Sequence, residues 1–121
     1  MGKKKTLVLG ASDNPARYSY LAINRLINNQ FPVVAVGKKA GIVSGIPILT
    51  EKPHFIDIDT ITLYLNPANQ KEYYDYIISL HPRRIIFNPG TENNELSYFA
   101  LQKNILTLEA CTLVLLTTGQ Y

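Results

Sequence analysis

Thr6-Leu7-Val8-Leu9-Gly10-Ala11-Ser12-Asp13-Asn14-Pro15-Ala16-Arg17 joins an apolar run to a glycine turn and then to residues that start helices. Leu7, Val8 and Leu9 suit a strand covered on both faces, as in a parallel sheet. Gly10 has no Cβ and lets the chain turn sharply. Ser12, Asp13 and Asn14 are all helix-capping types, and Pro15 fits a first helical position, where an N–H is not needed. A strand that runs into a helix N-terminus presents unpaired backbone N–H groups and the positive end of the helix dipole, which suit a phosphate. The expectation is an anion cradle at this turn, with other strand ends completing a nucleotide site around it.

Downstream, Tyr18, Leu21, Ala22, Ile23, Leu26 and Ile27 form one apolar stripe of a helix running to about Asn29. Val33 to Val36 reads as a second buried strand, closed by Gly37. Lys38 to Gly45 reads as a basic, glycine-containing loop, and Ile46 to Leu49 as a short extended piece. Thr60 to Leu65 is a third strand, followed by Asn66-Pro67 and a helix whose face is Tyr73, Tyr76, Ile77 and Leu80. After His81-Pro82, Arg84 to Phe87 is a fourth strand. Asn88-Pro89-Gly90-Thr91 leads into a helix with Leu96, Phe99 and Ala100. Ile105 to Glu109 is a fifth strand, and Cys111 to Thr118 closes as an apolar segment of open type.

Strands alternating with helices imply a parallel sheet with right-handed crossovers. The expected fold is α/β: a doubly wound, three-layer domain over residues 1–121 with five parallel strands in the order 3-2-1-4-5. In that order the switch point lies between the first and fourth strands, so Gly10 to Pro15 would face Asn88 to Gly90. Asn-Pro follows the first, third and fourth strands, at Asn14-Pro15, Asn66-Pro67 and Asn88-Pro89. The residue before proline is pushed out of the helical region, which makes each pair sound turn chemistry without a ligand. All three also fall on the carboxyl edge of the sheet, where open α/β folds bind ligands.

Composition narrows the classes. The 121 residues are 46% hydrophobic and 17% charged, as in ordinary globular proteins, and no apolar run approaches a membrane span. One cysteine leaves no internal disulfide framework. Together with a Met1-to-Lys5 start that lacks a signal-peptide apolar region, this points to the cytoplasm. The net charge of +3 owes much to Lys3, Lys4 and Lys5. No aromatic-basic interleaving accompanies them, so neither a nucleic-acid partner nor a membrane is expected.

A dinucleotide fingerprint needs G-x-G-x-x-G and an acid ending the second strand. This chain has Gly10 alone, and Gly37-Lys38-Lys39 where the acid would stand. Lys38 and Lys39 read either as a solvated loop or as partners for a nucleotide with an extra ribose phosphate, meaning coenzyme A or NADP.

Gly10-Ala11-Ser12-Asp13-Asn14-Pro15, followed by Arg17 and Ser19-Tyr20, resembles the opening of the small bacterial CoA-binding domain proteins. These are Rossmann-like domains similar to the nucleotide-binding part of the succinyl-CoA synthetase alpha subunit. The likeness extends over nearly the whole chain, through the loop after the second strand, Asn66-Pro67, the Gly90 turn and Cys111. It implies that Gly10, Ala11, Ser12, Asp13, Asn14, Pro15 and Arg17 take the pyrophosphate, and Gly37, Lys38 and Lys39 the ribose phosphate. Leu65, Asn66 and Pro67 would take the adenine, and Asn88, Pro89, Gly90 and Thr91 the pantetheine side. The chain departs from the family where Gly37-Lys38-Lys39 replaces Asn-Pro, where Tyr18 replaces a common proline, and where Glu109-Ala110 replaces an acid or amide followed by arginine.

No catalytic constellation stands out. His54 and His81 sit beside prolines without a motif, and Ser12 lacks a nucleophile elbow. No cluster has metal-ligand spacing. Glu92 and Glu95 suit the start of a helix. Cys111 reads as a core residue or as a thiol facing the pantetheine end. Three functions fit the residues: a non-catalytic module binding CoA or acyl-CoA, a small NADP- or other nucleotide-dependent enzyme, and a ligand-free interaction domain. With 8 tyrosines in the chain, a tyrosine-bearing helix face is a candidate homodimer surface.

Overall fold

The computed structural model describes residues 3–121. Strand β1 (Thr6–Leu9) leads to helix α1 (Tyr18–Asn28) and strand β2 (Val33–Val36). A hairpin follows, of strands β3 (Gly41–Val43) and β4 (Ile46–Leu49). Strand β5 (Thr60–Leu63) then precedes helix α2 (Pro67–Gln70), a 3₁₀ turn at Lys71–Tyr73 and helix α3 (Tyr74–Ser79). Strand β6 (Arg84–Phe87), helix α4 (Asn94–Gln102), strand β7 (Leu106–Glu109) and helix α5 (Thr112–Thr117) complete the chain.

The sheet has seven strands in the order β3-β4-β2-β1-β5-β6-β7. All pairs are parallel except β3 with β4. The α/β class and the doubly wound, three-layer arrangement are as expected; the five-strand count and the order 3-2-1-4-5 are not. The strand beyond β2 is Ile46–Leu49, not Thr60–Leu63. It pairs with β2 through only two residues, Ala35 with Ile48 and Val36 with Leu49. With Ile48 its one buried side chain and Pro47 unable to donate to a ladder, it does not read as a covered central strand. Thr60–Leu63 crosses to the other side of β1 and registers with it residue for residue, from Thr6 with Thr60 to Leu9 with Leu63. The switch point therefore lies between the ends of β1 and β5, and Asn88 to Gly90 are one strand further out.

Helices α1 and α5 cover one face, where Val8, Ile23, Leu26, Ile48 and Ile86 form a core with Tyr121. Helices α3 and α4 cover the other, over Leu7, Leu9, Ile61, Leu63, Ile77, Phe87 and Leu96. Tyr73 and Tyr76 are buried in this second core, so that tyrosine face is spent on folding. Burial raises the Tyr76 hydroxyl to about 12, with the neighbouring Tyr73 adding to the shift. At the amino edge, Tyr121 hydrogen-bonds Thr6 and lies under the Arg84 guanidinium, 4.4 Å from ring to charge. Lys3 sits over the Phe31 ring at 4.8 Å. The segment from Cys111 to Thr118 is helical over Thr112–Thr117. Among the described residues no helix is long and apolar enough to cross a membrane.

Candidate functional site

The opening turn differs from the expected cap. Helix α1 begins at Tyr18, not at Pro15, and its N-cap Arg17 makes no side-chain cap bond. Asn14 and Pro15 instead open a tight turn of their own. The Arg17 amide donates to the Asn14 carbonyl at 3.0 Å and the Ala16 amide to the Asn14 side-chain oxygen at 3.0 Å. Ser12 Oγ accepts the Asn14 amide at 3.1 Å. These local bonds leave the amides of Ser12, Asp13, Tyr18 and Ser19 without an acceptor among the described residues. Free donors thus come from two places, the loop just after Gly10 and the first turn of α1.

The loop is held from behind. The amides of Gly10 and Ala11 both donate to the Val36 carbonyl, at 2.9 and 3.0 Å. Gly10 has φ +93°, and a Cβ there would lie 2.8 Å from the Tyr64 carbonyl carbon. Gly37 packs against the same loop: a Cβ on it would fall 2.2 Å from the Ala11 carbonyl oxygen. Gly10 thus makes room for the backbone after β5, and Gly37 for the loop after β1, at two separate contacts.

Together these segments wall a crevice of about 710 Å³ at the carboxyl edge of the sheet, within the usual range for small-molecule sites. Of the residues expected there, Gly10, Ala11, Ser12, Asp13, Asn14 and Arg17 line it. So do Lys38, Lys39, Leu65, Asn66, Pro89, Gly90 and Thr91. Pro15, Gly37, Pro67 and Asn88 do not. Pro15 and Pro67 shape turns, the latter at the first position of α2, where Asn66 Oδ1 caps the Asn69 amide at 2.9 Å. Arg17, Lys38 and Lys39 outnumber the single lining carboxylate, Asp13, whose side chain lies against Gly41. The crevice is cationic.

Asn88 is buried and fully used inside the protein. Its amide nitrogen donates to Thr62 Oγ1 at 2.7 Å and to the Leu63 carbonyl at 2.8 Å, while its oxygen accepts the Thr112 amide at 2.9 Å. It fastens β6 to β5 and to the start of α5. The Gly90 amide is taken by the Glu92 carboxylate at 2.9 Å, while Asn93 caps α4. Glu92 therefore serves the turn before the helix.

Sequence reading missed Ala16, Tyr18, Ser19 and Tyr64 in the lining. Tyr64 follows an otherwise buried strand, and its hydroxyl points inward, near Thr62 and Thr112, without a hydrogen bond. Burial raises it to about 12. Also missed was Gln70, wholly buried, whose amide nitrogen donates to the carbonyls of Leu65 and Thr91 at 2.8 Å each. Its oxygen accepts Asn93 Nδ2 at 2.9 Å. The helical spacing that puts Gln70 on the face of Tyr73 and Ile77 would mark it as inward-facing, but nothing in the sequence names its partners.

Cys111 is half-buried at the N-cap of α5 and outside the crevice lining. His54 and His81 are exposed and also outside it. Among the described residues no group of three or more His, Cys, Asp or Glu is arranged for a metal ion.

A comparison with curated proteins finds no match. Among solved structures, one described as an uncharacterized protein is 46% identical, covers 100% of both chains and superposes with a TM-score of 0.97. A hypothetical protein from Pyrococcus horikoshii OT3 is 24% identical over 92% of this chain and 80% of its own, with a TM-score of 0.83. A Thermus thermophilus protein, 17% identical over 98% of this chain and 90% of its own, has a TM-score of 0.81. The latter two share the fold. A family model described as a CoA binding domain matches residues 4–117. That match spans the Gly10 loop, the Lys38-Lys39 turn and every other wall of the crevice, and the chain belongs to the CoA binding domain family.

Proposed function

We propose that the crevice holds coenzyme A or an acyl-CoA, and that the chain is a cytoplasmic CoA-binding module that performs no chemistry of its own. The observation that carries this reading is the set of unpartnered amides at Ser12, Asp13, Tyr18 and Ser19, gathered beside Arg17 at the end of β1. Ser19 is buried and Ser12 half-buried, where donors without acceptors are costly, and a diphosphate would satisfy several of the four at once. Lys38 and Lys39 meet the ribose phosphate. The apolar edge at Leu65, with Asn66 on the turn that Pro67 shapes, takes the adenine, and Pro89, Gly90 and Thr91 lie along the pantetheine arm. No histidine or cysteine lines this path, and the one lining carboxylate, Asp13, lies against Gly41.

Isothermal titration with CoA, dephospho-CoA, NAD and NADP tests the assignment. CoA binds, and dephospho-CoA binds more weakly because the lysines lose their partner. Equal affinity for the two removes Lys38 and Lys39 from the account. At a CoA concentration about a hundred times Kd, binding adds about 2.7 kcal/mol to stability and raises the melting midpoint. A midpoint unmoved by every nucleotide, with no heat of binding, refutes the reading.

A further inference from the structure

Strand β7 stands apart from the rest of the sheet. Strands β1, β5 and β6 are buried along their whole length, whereas no residue of β7 is. It is the last strand of the sheet, with no neighbour on its outer side among the described residues. The amides of Leu106 and Ala110 turn inward, to the carbonyls of Arg83 and Phe87 at 3.1 Å each. By alternation the N–H and C=O groups of Thr107 and Glu109 turn outward to the free edge. Edge strands are normally blunted by lysine, proline or a bulge, and Leu106-Thr107-Leu108-Glu109 carries none of these.

Both faces beside that edge are apolar. Leu106 (65% exposed) and Leu108 lie on the α5 side, beside Arg84 and Ile86 of β6. On the opposite side α4, which packs on β7, presents Tyr98 (60%) and Leu101 (69%) to solvent, while the Phe99 ring turns to Tyr74 of α3.

We infer that β7 pairs with β7 of a second copy of this chain, antiparallel across a two-fold axis at Thr107, to join two sheets into one. The register follows from the residues. With Thr107 opposite its own copy, the two outward N–H and C=O pairs bond to each other, and the threonines form a favourable cross-strand pair. Leu106 then meets the second copy's Leu108 twice on the α5 face, while α4 approaches its own copy on the other. Glu109 falls opposite Ile105. A register centred one residue later would bring the two Glu109 carboxylates closer together. Such a contact is isologous and closes at two chains. The opposite edge is a poorer template, because β3 has three residues, one of them Gly41.

Sedimentation velocity over a concentration series tests this on the wild type, L106K and T107P. The wild type sediments at twice the chain mass at the upper concentrations. L106K places charge in the leucine contact and sediments as a monomer. T107P removes an outward N–H that β6 does not use, so the β6–β7 pairing survives while dimerisation is lost. Thermal melts confirm that each variant is folded, and V114K, at an exposed apolar position on α5, dimerises as the wild type does. A wild type that is monomeric throughout overturns the inference. A dimer that persists in both folded β7 variants overturns it as well. CoA binding is unaffected either way, since β7 lies outside the crevice lining.

Discussion

Gly37→Ala probes the support of the site without touching its lining. No unusual backbone angle is needed at Gly37, so alanine is excluded by space alone: its methyl would sit 2.2 Å from the Ala11 carbonyl oxygen and 3.1 Å from Ile48 Cγ2. Ordinary contact begins near 3.4 Å, so the Ala11 carbonyl must retreat by about 1.2 Å. That carbonyl belongs to the peptide that carries the Ser12 amide, and the retreat strains the bonds from Gly10 and Ala11 to Val36. Overpacking of this kind costs about 1–3 kcal/mol of stability. The expected loss of affinity is larger. Two charge-assisted bonds to a diphosphate, from Ser12 and Asp13, are worth about 1.5–3 kcal/mol each, so their misplacement weakens CoA binding by upward of about a hundredfold. Calorimetry with CoA reads the affinity and a denaturant melt reads the stability. Gly45→Ala is the control, since a Cβ there meets nothing within 4 Å and Gly45 is outside the crevice lining, although its φ of +81° strains the turn. A folded Gly37→Ala protein that binds CoA as tightly as the wild type would refute the claim that this close approach sets the amide cradle.

Replacing Lys38 and Lys39 together by alanine lowers affinity for CoA by about tenfold and leaves dephospho-CoA nearly unchanged, as comparative titration would read. Asn88→Ala destabilises the fold by about 2–4 kcal/mol in chemical denaturation, because the Thr112 amide and the Thr62 hydroxyl lose buried partners. Tyr64→Phe removes an unsatisfied buried hydroxyl and stabilises by about 1 kcal/mol. The same residue governs alkaline behaviour. With its hydroxyl raised to about 12 in the folded state, its contribution is fully present below pH 10 and is lost as pH rises from 10 through 12. The wild type therefore loses stability over that window more steeply than Tyr64→Phe does, in melts recorded against pH.

The opening strand, its glycine and most of the crevice lining were legible because they depend on local chemistry. Three apolar residues, a glycine and a run of short polar side chains have few other uses at that spacing. The place where α1 starts was not legible. Asn14 was a plausible cap, but its side chain serves a separate turn at Ala16, and only the competing geometry of that turn decides between the two. Strand order failed for a different reason. Pro47 makes Ile46–Leu49 look unlike a sheet strand with neighbours on both sides, and pairing of non-neighbouring strands leaves no mark in a linear pattern. Asn88 carried the same signature as Asn14 and Asn66 and yet is turned inward, because Asn-Pro specifies backbone shape and not the direction of a side chain.

The buried carboxamide of Gln70 bears on how a ligand leaves. By gripping Leu65 and Thr91 together, it makes two of the crevice walls a single rigid jaw, and prising them apart would break both bonds at once in a place water does not reach. The Lys38-Lys39 side has only exposed charges and no such clasp. On the proposed reading, a bound nucleotide departs on that side, and its residence time follows how often two lysines let go of a phosphate.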